Sequence, residues 1–236
     1  MVRWLRRAAI GSAFMLVGAA IAVALLYRAA TAPVPEYQAV IEATRRQMEA
    51  GDLDQKRQEL ESQLAALYSD AGNAEAWETV LTADQMNSWF ATKLDEVLPE
   101  LAEEGLSDLR VLINPGVVTL ALRATRHGVD AVVALDVAPF VAEDGSLALE
   151  LSAARIGTAP LPTAQVFAQL QAATGDEGLP GRWTQNDGRP VLLQDISWAA
   201  PTARHTCVLE VIEVRDGEVY VAGRTEETTP HVAALP

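Results

Sequence analysis

Residues 117–140, VVTLALRATRHGVDAVVALDVAPF, decide the fold class, because apolar side chains recur there at every second position. Val118, Leu120 and Leu122 alternate with other residues, which is the period of a β-strand that buries one face. A His-Gly pair interrupts the pattern, and such a break between two alternating runs indicates a hairpin turn. The two predicted strands are Val117 to Arg126 and Asp130 to Phe140.

The same alternation continues on both sides of this pair. Leu147, Leu149 and Leu151 lie on one side of a run that carries Glu150 on the other. Asn-Pro-Gly and Glu-Asp-Gly triplets, which are turn signals, separate the runs. We therefore predict a four-stranded antiparallel meander with one apolar face and one solvent-facing face. Its outer strands are Asp108 to Asn114 and Leu147 to Ile156.

The C-terminal part of the chain predicts more strands and one loop. An Asp-Gly pair at residues 216–217, between two apolar runs, is a strong hairpin signal. Gly, Asp and Asn are concentrated from Gly175 to Gly188, which predicts a loop. The predicted strands are Val191 to Trp198, Arg204 to Val214 and Glu218 to Thr225.

Two helices complete the predicted domain. Thr82 and Gln85 have the spacing of a capping box, in which each residue's side chain satisfies a backbone N–H of the other. Apolar residues then recur at helical spacing until Pro99, which marks the end of the helix. A second helix is expected from Thr163 to Ala173. Together these elements indicate an α+β domain, a curved, mainly antiparallel sheet packed with helices.

Residues 36–68 also have helical periodicity, with Tyr37, Ile41, Thr44 and Met48 on one stripe. We expect amphipathic helices that cover the core of the domain. A membrane-proximal stalk or a dimerising coil is the alternative, although the apolar repeat is less regular than a coiled coil requires.

The segment Ala8 to Tyr27, AAIGSAFMLVGAAIAVALLY, is uncharged and, as a helix, about 30 Å long, enough to cross a bilayer. Three arginines precede it, so the positive-inside rule predicts a cytoplasmic N-terminus and an extracytoplasmic domain, periplasmic in a Gram-negative-type envelope. The alternative is a cleaved signal peptide with Ala30 to Ala32 as the cleavage site. The run is longer than the usual signal core of about 7–15 residues, and Pro33 would follow the cut, which favours an uncleaved single-pass anchor.

These patterns divide the chain into five parts. They are a cytoplasmic N-terminus (1–7), a transmembrane anchor (8–27), a linker and amphipathic helical region (28–77), an extracytoplasmic α+β domain (78–226) and a loose tail (227–236). Within the linker, Thr31 to Pro35 (TAPVP) is expected to be a short, stiff exit from the membrane.

The charge balance excludes one class of partner. The chain has 18 Lys and Arg against 32 Asp and Glu residues. Residues 1–32 contain four arginines and no acid, so the remainder has 14 basic against 32 acidic residues, a net charge of −18. Such a surface repels nucleic acid and anionic headgroups, and we expect no nucleic-acid partner.

Residue patterns that would support catalysis or metal binding are sparse. His127, His205 and His231 fall in a turn, a strand and the tail, and none has zinc-ligand spacing with the single cysteine, Cys207. His205 and Cys207 share a strand face, which allows a Cys–His dyad, but a Cys between apolar residues is typical of a small core residue. Serine-hydrolase, phosphate-loop and dinucleotide motifs do not occur. We expect no cofactor, no metal and no enzymatic activity.

Two short motifs and the order of the elements resemble YpmS-like membrane-anchored proteins. Leu81 to Trp89, LTADQMNSW, is similar to the L-T-x-x-x-L/M-N opening of that family's first helix. Ala154 to Pro162, ARIGTAPLP, resembles its junction from a strand through G-x-x-P-L-P to a helix, and the final hairpin at residues 216–217 is also similar. The order of anchor, helix, meander, Pro-bounded helix and hairpin matches over about residues 78–225.

The resemblance implies a tubular lipid-binding (TULIP-like) domain, in which a curved sheet wraps a helix and leaves an apolar groove for acyl chains. Small residues such as Ala134 are expected to leave volume inside the sheet. An ordinary filled core would show the same alternation. The residues expected to line the groove are Leu120, Leu122, Val133, Leu135, Leu149, Leu151 and Phe167.

The function expected from these observations is a membrane-tethered lipid-binding or lipid-handling domain without catalysis, with membrane lipid as its ligand. The alternative is an envelope scaffold or assembly protein that binds a protein partner through residues 36–98. A hydrolase centred on Cys207 and His205 is the third hypothesis. A bulky residue in place of Ala134 is expected to block lipid uptake if the sheet encloses a groove, and to destabilise the domain if the core is filled.

Overall fold

Two antiparallel sheets packed with helices make up the structure, a computed structural model that describes residues 24–73, 76–126, 128–174, 181–194 and 205–227. The predicted α+β class, with a mainly antiparallel sheet and packed helices, is therefore confirmed. The helices are α1 (Pro35–Ala50), α2 (Leu53–Asn73), α3 (Ala83–Val97), α4 (Pro99–Glu103) and α5 (Thr163–Thr174). The strands are β1 (Ala76–Thr82), β2 (Leu106–Asn114), β3 (Val117–Arg126), β4 (Val129–Val141), β5 (Leu147–Ile156), β6 (Ala159–Leu161), β7 (Arg182–Asn186), β8 (Arg189–Gln194), β9 (His205–Arg215) and β10 (Glu218–Glu227).

The large sheet has the strand order β2-β3-β4-β5-β8-β7, and β6 pairs with the end of β5 that β8 does not reach. The predicted meander is confirmed as β2 to β5. Two β-bulges interrupt it. Asp108 and Leu109 are the bulged residues of β2, and Ser152 is the extra residue of β5.

The small sheet has the strand order β1-β10-β9, and the predicted hairpin at residues 216–217 is confirmed as β9–β10. Strands β1 and β6 were not predicted. Strand β7 lies inside the segment 175–188, so the prediction of a loop there is wrong for Arg182–Asn186. The predicted strand 191–198 is found as β8, and residues 195–198 lie outside the described ranges.

Local sequence explains the ends of two helices. Helix α1 begins at Pro35, where the missing N–H is not needed, and ends at Ala50, before Gly51, whose φ of 81° is left-handed. Helix α3 begins with the predicted capping box. The Gln85 N–H donates to Thr82 Oγ1 at 3.3 Å, and the Thr82 N–H donates to Gln85 Oε1 at 3.1 Å.

The cross-strand register places the six strand residues predicted for the groove on one face of the large sheet. Leu120 lies opposite Leu135, and Leu122 lies opposite Val133. Leu149 and Leu151 of β5 lie opposite Pro139 and Val137 of β4. These two residues of β4 point to the same side of the sheet as Leu135. We call this side the leucine face, with Leu120, Leu122, Val133, Leu135, Leu149 and Leu151 as its members.

The opposite side, the alanine face, carries Ala121, Ala134 and Ala148, which are at most 1% exposed. Val34 and Tyr37, at the start of α1, pack directly on Ala121 and Ala134. The prediction of a solvent-facing side is therefore wrong at this position, because small side chains let a helix approach the sheet closely. Ala134 faces α1 rather than the leucine face, so its predicted role inside a groove is also corrected.

The small sheet packs across one end of the leucine face, with α2 and α3 beside it. Two apolar clusters hold these elements together. The first contains Val111, Ile113 and Val219, with Met86 and Phe90 of α3 against it. The second contains Ala71, Trp77, Cys207 and Leu209, with Leu147 against it. Helices α1 and α2 thus cover the core, as their periodicity predicted.

Residues 24–30, which precede α1, are helical. The other residues of the predicted anchor, 8–23, and the N-terminal residues before them lie outside the described ranges. Among the helices that are described, none combines the length and the apolar character needed to cross a membrane.

Candidate functional site

The leucine face is covered only in part by the described residues. Leu151 is buried, whereas the other predicted groove residues are partly exposed. Leu120 packs on the cluster that joins β2 to the small sheet. The remaining residues of the face extend the apolar surface over β3, β4 and β5, beyond the described core clusters. We call this partly exposed surface the apolar strip, formed by Leu122, Val133, Leu135 and Leu149.

Helix α5 borders the strip on the side of β5 and β8. Phe167 of α5 makes an edge-to-face contact with Trp183 of β7, with ring centroids 5.1 Å apart and planes at 70°. Trp183 lies opposite Leu192, which lies opposite Leu149, so this aromatic pair belongs to the leucine face. The structure therefore brings Phe167 together with the predicted strand residues. Trp183 was missed because its strand lacks apolar alternation.

A charged network on the alanine face stabilises the bulge in β5. The Asp136 carboxylate accepts hydrogen bonds from Thr119 Oγ1 at 2.8 Å and from Arg155 at 2.7 and 2.9 Å. Ser152, the bulged residue, donates its hydroxyl to the Asp136 carbonyl at 2.9 Å. Because each of these groups is paired within the sheet, the network has a structural explanation.

A second network lies at the far edge of the large sheet. The Glu150 carboxylate, which is almost buried, accepts hydrogen bonds from Arg189 at 2.8 Å and from Asn186 at 3.0 Å. The hydrogen bond from Arg189 is the main reason that the pKa of Glu150 is lowered. Asn186 and Phe140 also border an open pocket of about 510 Å³, which contains none of the predicted groove residues.

A smaller pocket of about 180 Å³ lies where the chain after residue 30 meets β3 and β4. We call it the junction pocket. Its lining residues are Thr31, Ala32, Pro33, Tyr37, Gln38, Arg123, Asp130, Ala131 and Val132. It contains none of the predicted groove residues, and it was not predicted, because it combines residues from two distant parts of the chain.

Charged residues of the β2 bulge lie behind the junction pocket. Tyr37 donates its hydroxyl to the Asp108 carbonyl at 2.8 Å, and burial, assisted by the Asp108 charge, raises the pKa of Tyr37 to about 12. Arg110 is buried, which lowers its pKa, and its guanidinium lies 3.8 Å from the Asp108 carboxylate. Arg123 Nε lies 3.3 Å from the same carboxylate. The Asp108 carboxylate thus interacts with two guanidinium groups.

The residues considered for catalysis and metal binding do not form a described site. Cys207 is buried, and its Sγ donates to the Ala71 carbonyl at 3.5 Å, so it is the core residue that its apolar neighbours predicted. The side chain of His205 lies outside the described residues, as do His127 and His231. Within the described ranges, no group of three or more His, Cys, Asp or Glu side chains could hold a metal ion.

Comparison with known proteins gives no match: no family model, curated protein or solved structure is significantly similar to this chain.

Proposed function

We propose that this protein is a membrane-tethered, extracytoplasmic domain of the YpmS-like, tubular lipid-binding type, which takes up acyl chains along its leucine face without catalysis. One observation carries the proposal. Leu122 lies opposite Val133, and the partly exposed Val137 and Pro139 connect Leu135 to Leu149, so that partly exposed apolar residues continue across three neighbouring strands. On the opposite face, Ala121, Ala134 and Ala148 are at most 1% exposed.

An acyl chain is a suitable occupant for such a surface. Exposed apolar area is costly in water, and each methylene group that leaves water gains about 0.8 kcal/mol. The strip offers an apolar contact without charged side chains, and Phe167 with Trp183 supplies an aromatic wall at one side. These features fit a flexible hydrocarbon chain better than a polar small molecule, which would need convergent hydrogen-bonding groups.

The two bulges support a curved sheet. A bulge bends its strand and increases the local twist. Bulges occur in β2 and in β5, on the two sides of the strands that carry most of the strip. Bending at these two positions would wrap the leucine face around a bound chain, as the resemblance to tubular lipid-binding proteins implies.

The tether in this proposal is the segment 8–27, with the domain on the extracytoplasmic side. An anchor of this kind keeps the domain beside the bilayer and so raises the effective concentration of lipid. The net charge of −18 after residue 32 makes attraction to anionic lipid a weak source of binding, so apolar burial is the expected source.

Photocrosslinking tests this function in the full chain. The protein would be reconstituted in nanodiscs that contain a fatty acid with a diazirine on its acyl chain, and the labelled peptides would be identified by mass spectrometry. We expect labels on β3, β4, β5 and α5. Leu135→Gln should reduce this labelling about tenfold. A bound acyl chain would bury the new amide without a hydrogen-bond partner, which costs about 1–3 kcal/mol.

The matched control is Phe140→Gln, which introduces the same amide into the same strand on the other face. It should leave labelling of the leucine face unchanged. Labels confined to residues 8–27, or an equal loss in both variants, would contradict the proposal.

One observation favours the alternative function, a scaffold that binds a protein partner. Leu64 and Tyr68, one turn apart on α2, are 42% and 48% exposed. Replacing both with Ser should abolish partner capture in that case and leave acyl-chain labelling unchanged. If the double variant loses acyl-chain labelling while remaining folded, the exposed pair Leu64 and Tyr68 does not support the scaffold hypothesis.

A further inference from the structure

The junction pocket lies at the depth of the lipid headgroups when residues 8–27 form the proposed anchor. Thr31 follows Tyr27 by four residues, which is about 6 Å along a helix. The hydrocarbon core of a bilayer is about 30 Å thick within a total of about 40–45 Å, so each headgroup layer is about 5–8 Å deep. A pocket that begins at Thr31 therefore opens within or directly beside this layer.

The position of the pocket relative to the anchor is set by close backbone contacts. The Thr158 N–H donates to the Ala29 carbonyl at 2.9 Å, and the Thr158 hydroxyl donates to the same oxygen at 3.2 Å. A Cβ on Gly157 would overlap the carbonyl oxygens of Ala29 and Ala30. Val34, which lies four residues after Ala30, is buried in the cluster with Tyr37. The domain is thus held directly against the end of the anchor.

The pocket presents one cation and one anion on the same side of the sheet. Arg123 lies opposite Val132 and Thr125 lies opposite Asp130, so Arg123 and Asp130 are diagonal neighbours, about 7–8 Å apart between Cα atoms. The Asp130 carboxylate is oriented by Thr125, whose Oγ1 donates to it at 2.7 Å. The Arg123 side chain is 41% exposed and so remains accessible.

The total charge around the pocket selects the kind of ligand. Arg110 and Arg123 are balanced by Asp108 and Asp130, so the site as a whole is neutral although its charges are separated. A simple anion would gain from Arg123 but would be repelled by Asp130. A ligand that carries both charges, spaced apart, pairs with both residues.

We propose that the junction pocket binds the phosphoethanolamine group of a phospholipid, with the phosphate on Arg123 and the ammonium on Asp130. The proposal rests on the membrane anchoring proposed above. A guanidinium matches phosphate oxygens with two parallel N–H donors, and a primary ammonium donates hydrogen bonds to a carboxylate, which a choline cannot do. The volume of about 180 Å³ is below the range of about 300–1,000 Å³ used by drug-sized ligands, and suits a headgroup rather than a whole lipid.

Native mass spectrometry of the full chain tests the headgroup preference. The protein, released from detergent micelles, would be titrated with phosphatidylethanolamine, phosphatidylcholine and phosphatidylglycerol of identical acyl chains. We expect at least about tenfold stronger retention of phosphatidylethanolamine. Equal retention of the three lipids would overturn the proposal.

Two variants that each remove one charge assign the two charges. Arg123→Gln should reduce retention of all three lipids at this site, because the phosphate contact that they share is lost, while the intact Asp130 keeps the order of preference. Asp130→Asn should remove the preference over phosphatidylglycerol, because the site becomes net positive. Arg126→Gln is the control, since Arg126 is an exposed arginine of the same strand that pairs with Glu104 outside the pocket. A preference over phosphatidylglycerol that survives in Asp130→Asn would contradict the assignment, and the exposed position of Asp130 keeps that variant informative if Arg123→Gln unfolds.

Soluble glycerophosphoethanolamine separates a lipid from a free metabolite as the source of the group. Binding at least about a hundredfold weaker than that of the lipid supports the membrane source, and equal binding overturns it.

The outcome of the headgroup experiment is also separate from that of acyl-chain uptake. Leu135→Gln should leave the headgroup preference unchanged, so a loss of acyl labelling with an intact preference would refute the leucine-face function alone.

Discussion

Asn87 offers a direct test of how α3 is attached to the large sheet. Its side-chain amide makes two hydrogen bonds with one residue of the edge strand β2. Asn87 Nδ2 donates to the Val111 carbonyl at 2.8 Å, and the Val111 N–H donates to Asn87 Oδ1 at 2.7 Å. Asn87 thus takes the place of a neighbouring strand at this residue and covers part of a sheet edge. It is also the Asn of the helix-opening motif that resembles YpmS-like proteins.

Replacing Asn87 with Ala should destabilise the domain by about 2–6 kcal/mol. Asn87 is 3% exposed and Val111 is 2% exposed, so water cannot easily replace the amide. Each buried backbone group left without a partner costs about 1–3 kcal/mol, and there are two such groups on Val111. A loss of this size is a large fraction of the 5–15 kcal/mol that typically stabilises a domain.

The measurement is urea unfolding of the full chain in mild detergent, monitored by tryptophan fluorescence. The midpoint should fall while the slope of the transition stays constant. Gln55→Ala is the control, because the Gln55 amide donates to Glu59 at 2.9 Å on the exposed side of α2 and should change stability by no more than about 0.5 kcal/mol. If Asn87→Ala is as stable as this control, the assigned hydrogen bonds do not hold α3 on β2.

Three other substitutions test the faces, the charges and the junction. Ala134→Trp should destabilise the domain by about 3 kcal/mol or more in urea unfolding, because it overpacks the contact with α1, while the fraction that stays folded keeps its acyl labelling. Glu150→Gln should flatten the loss of stability in acid. The pKa of Glu150 is lowered from 4.5, so its contribution is present above pH 4.5 and is lost as the pH falls through the lowered pKa, which urea midpoints from about pH 3 to 6 would show. Gly157→Ala should accelerate hydrogen exchange at the Thr158 amide, because a Cβ there displaces residues 29–30 and the φ of 55° disfavours Ala.

The strands with strong apolar alternation could be predicted from sequence, and the weakly patterned ones could not. The bounds of β3 and β5 agree with those expected. Strand β7, RWTQN, has one apolar residue because it lies at an edge and exposes most of its side chains. Strand β1, AWETVLT, ends at the capping-box residue Thr82 and lacks strict apolar alternation, and β6 has three residues, too few to show a period.

The leucine face followed from alternation, whereas the covering of the alanine face did not. Alanine fits both a buried and an exposed position, so Ala121 and Ala134 carried no signal of the helix above them. That helix reaches them through Tyr37, which is distant in sequence. The junction pocket has the same origin, since it joins residues 31–38 to residues 123–132. Contacts over such separations depend on the tertiary arrangement, which a local period does not encode.

The leucine face and the junction pocket lie on opposite sides of β4, and this limits how they can work together. Val133 and Leu135 point to one side of the strand, and Asp130 and Val132 point to the other. A lipid whose headgroup is in the junction pocket is separated from the apolar strip by the sheet itself, so its acyl chains are expected to stay in the bilayer. The headgroup site would then position the domain on the membrane, and the strip would take up a different molecule.

Independent sites predict additive effects. Asp130→Asn should alter headgroup preference, and Leu135→Gln should alter acyl labelling. In the double variant each loss should equal that of the single variant within about 0.5 kcal/mol, as is usual for residues without shared partners. A coupling well above this value would mean that one lipid molecule reaches both sides of the sheet, and the separation by β4 would have to be abandoned.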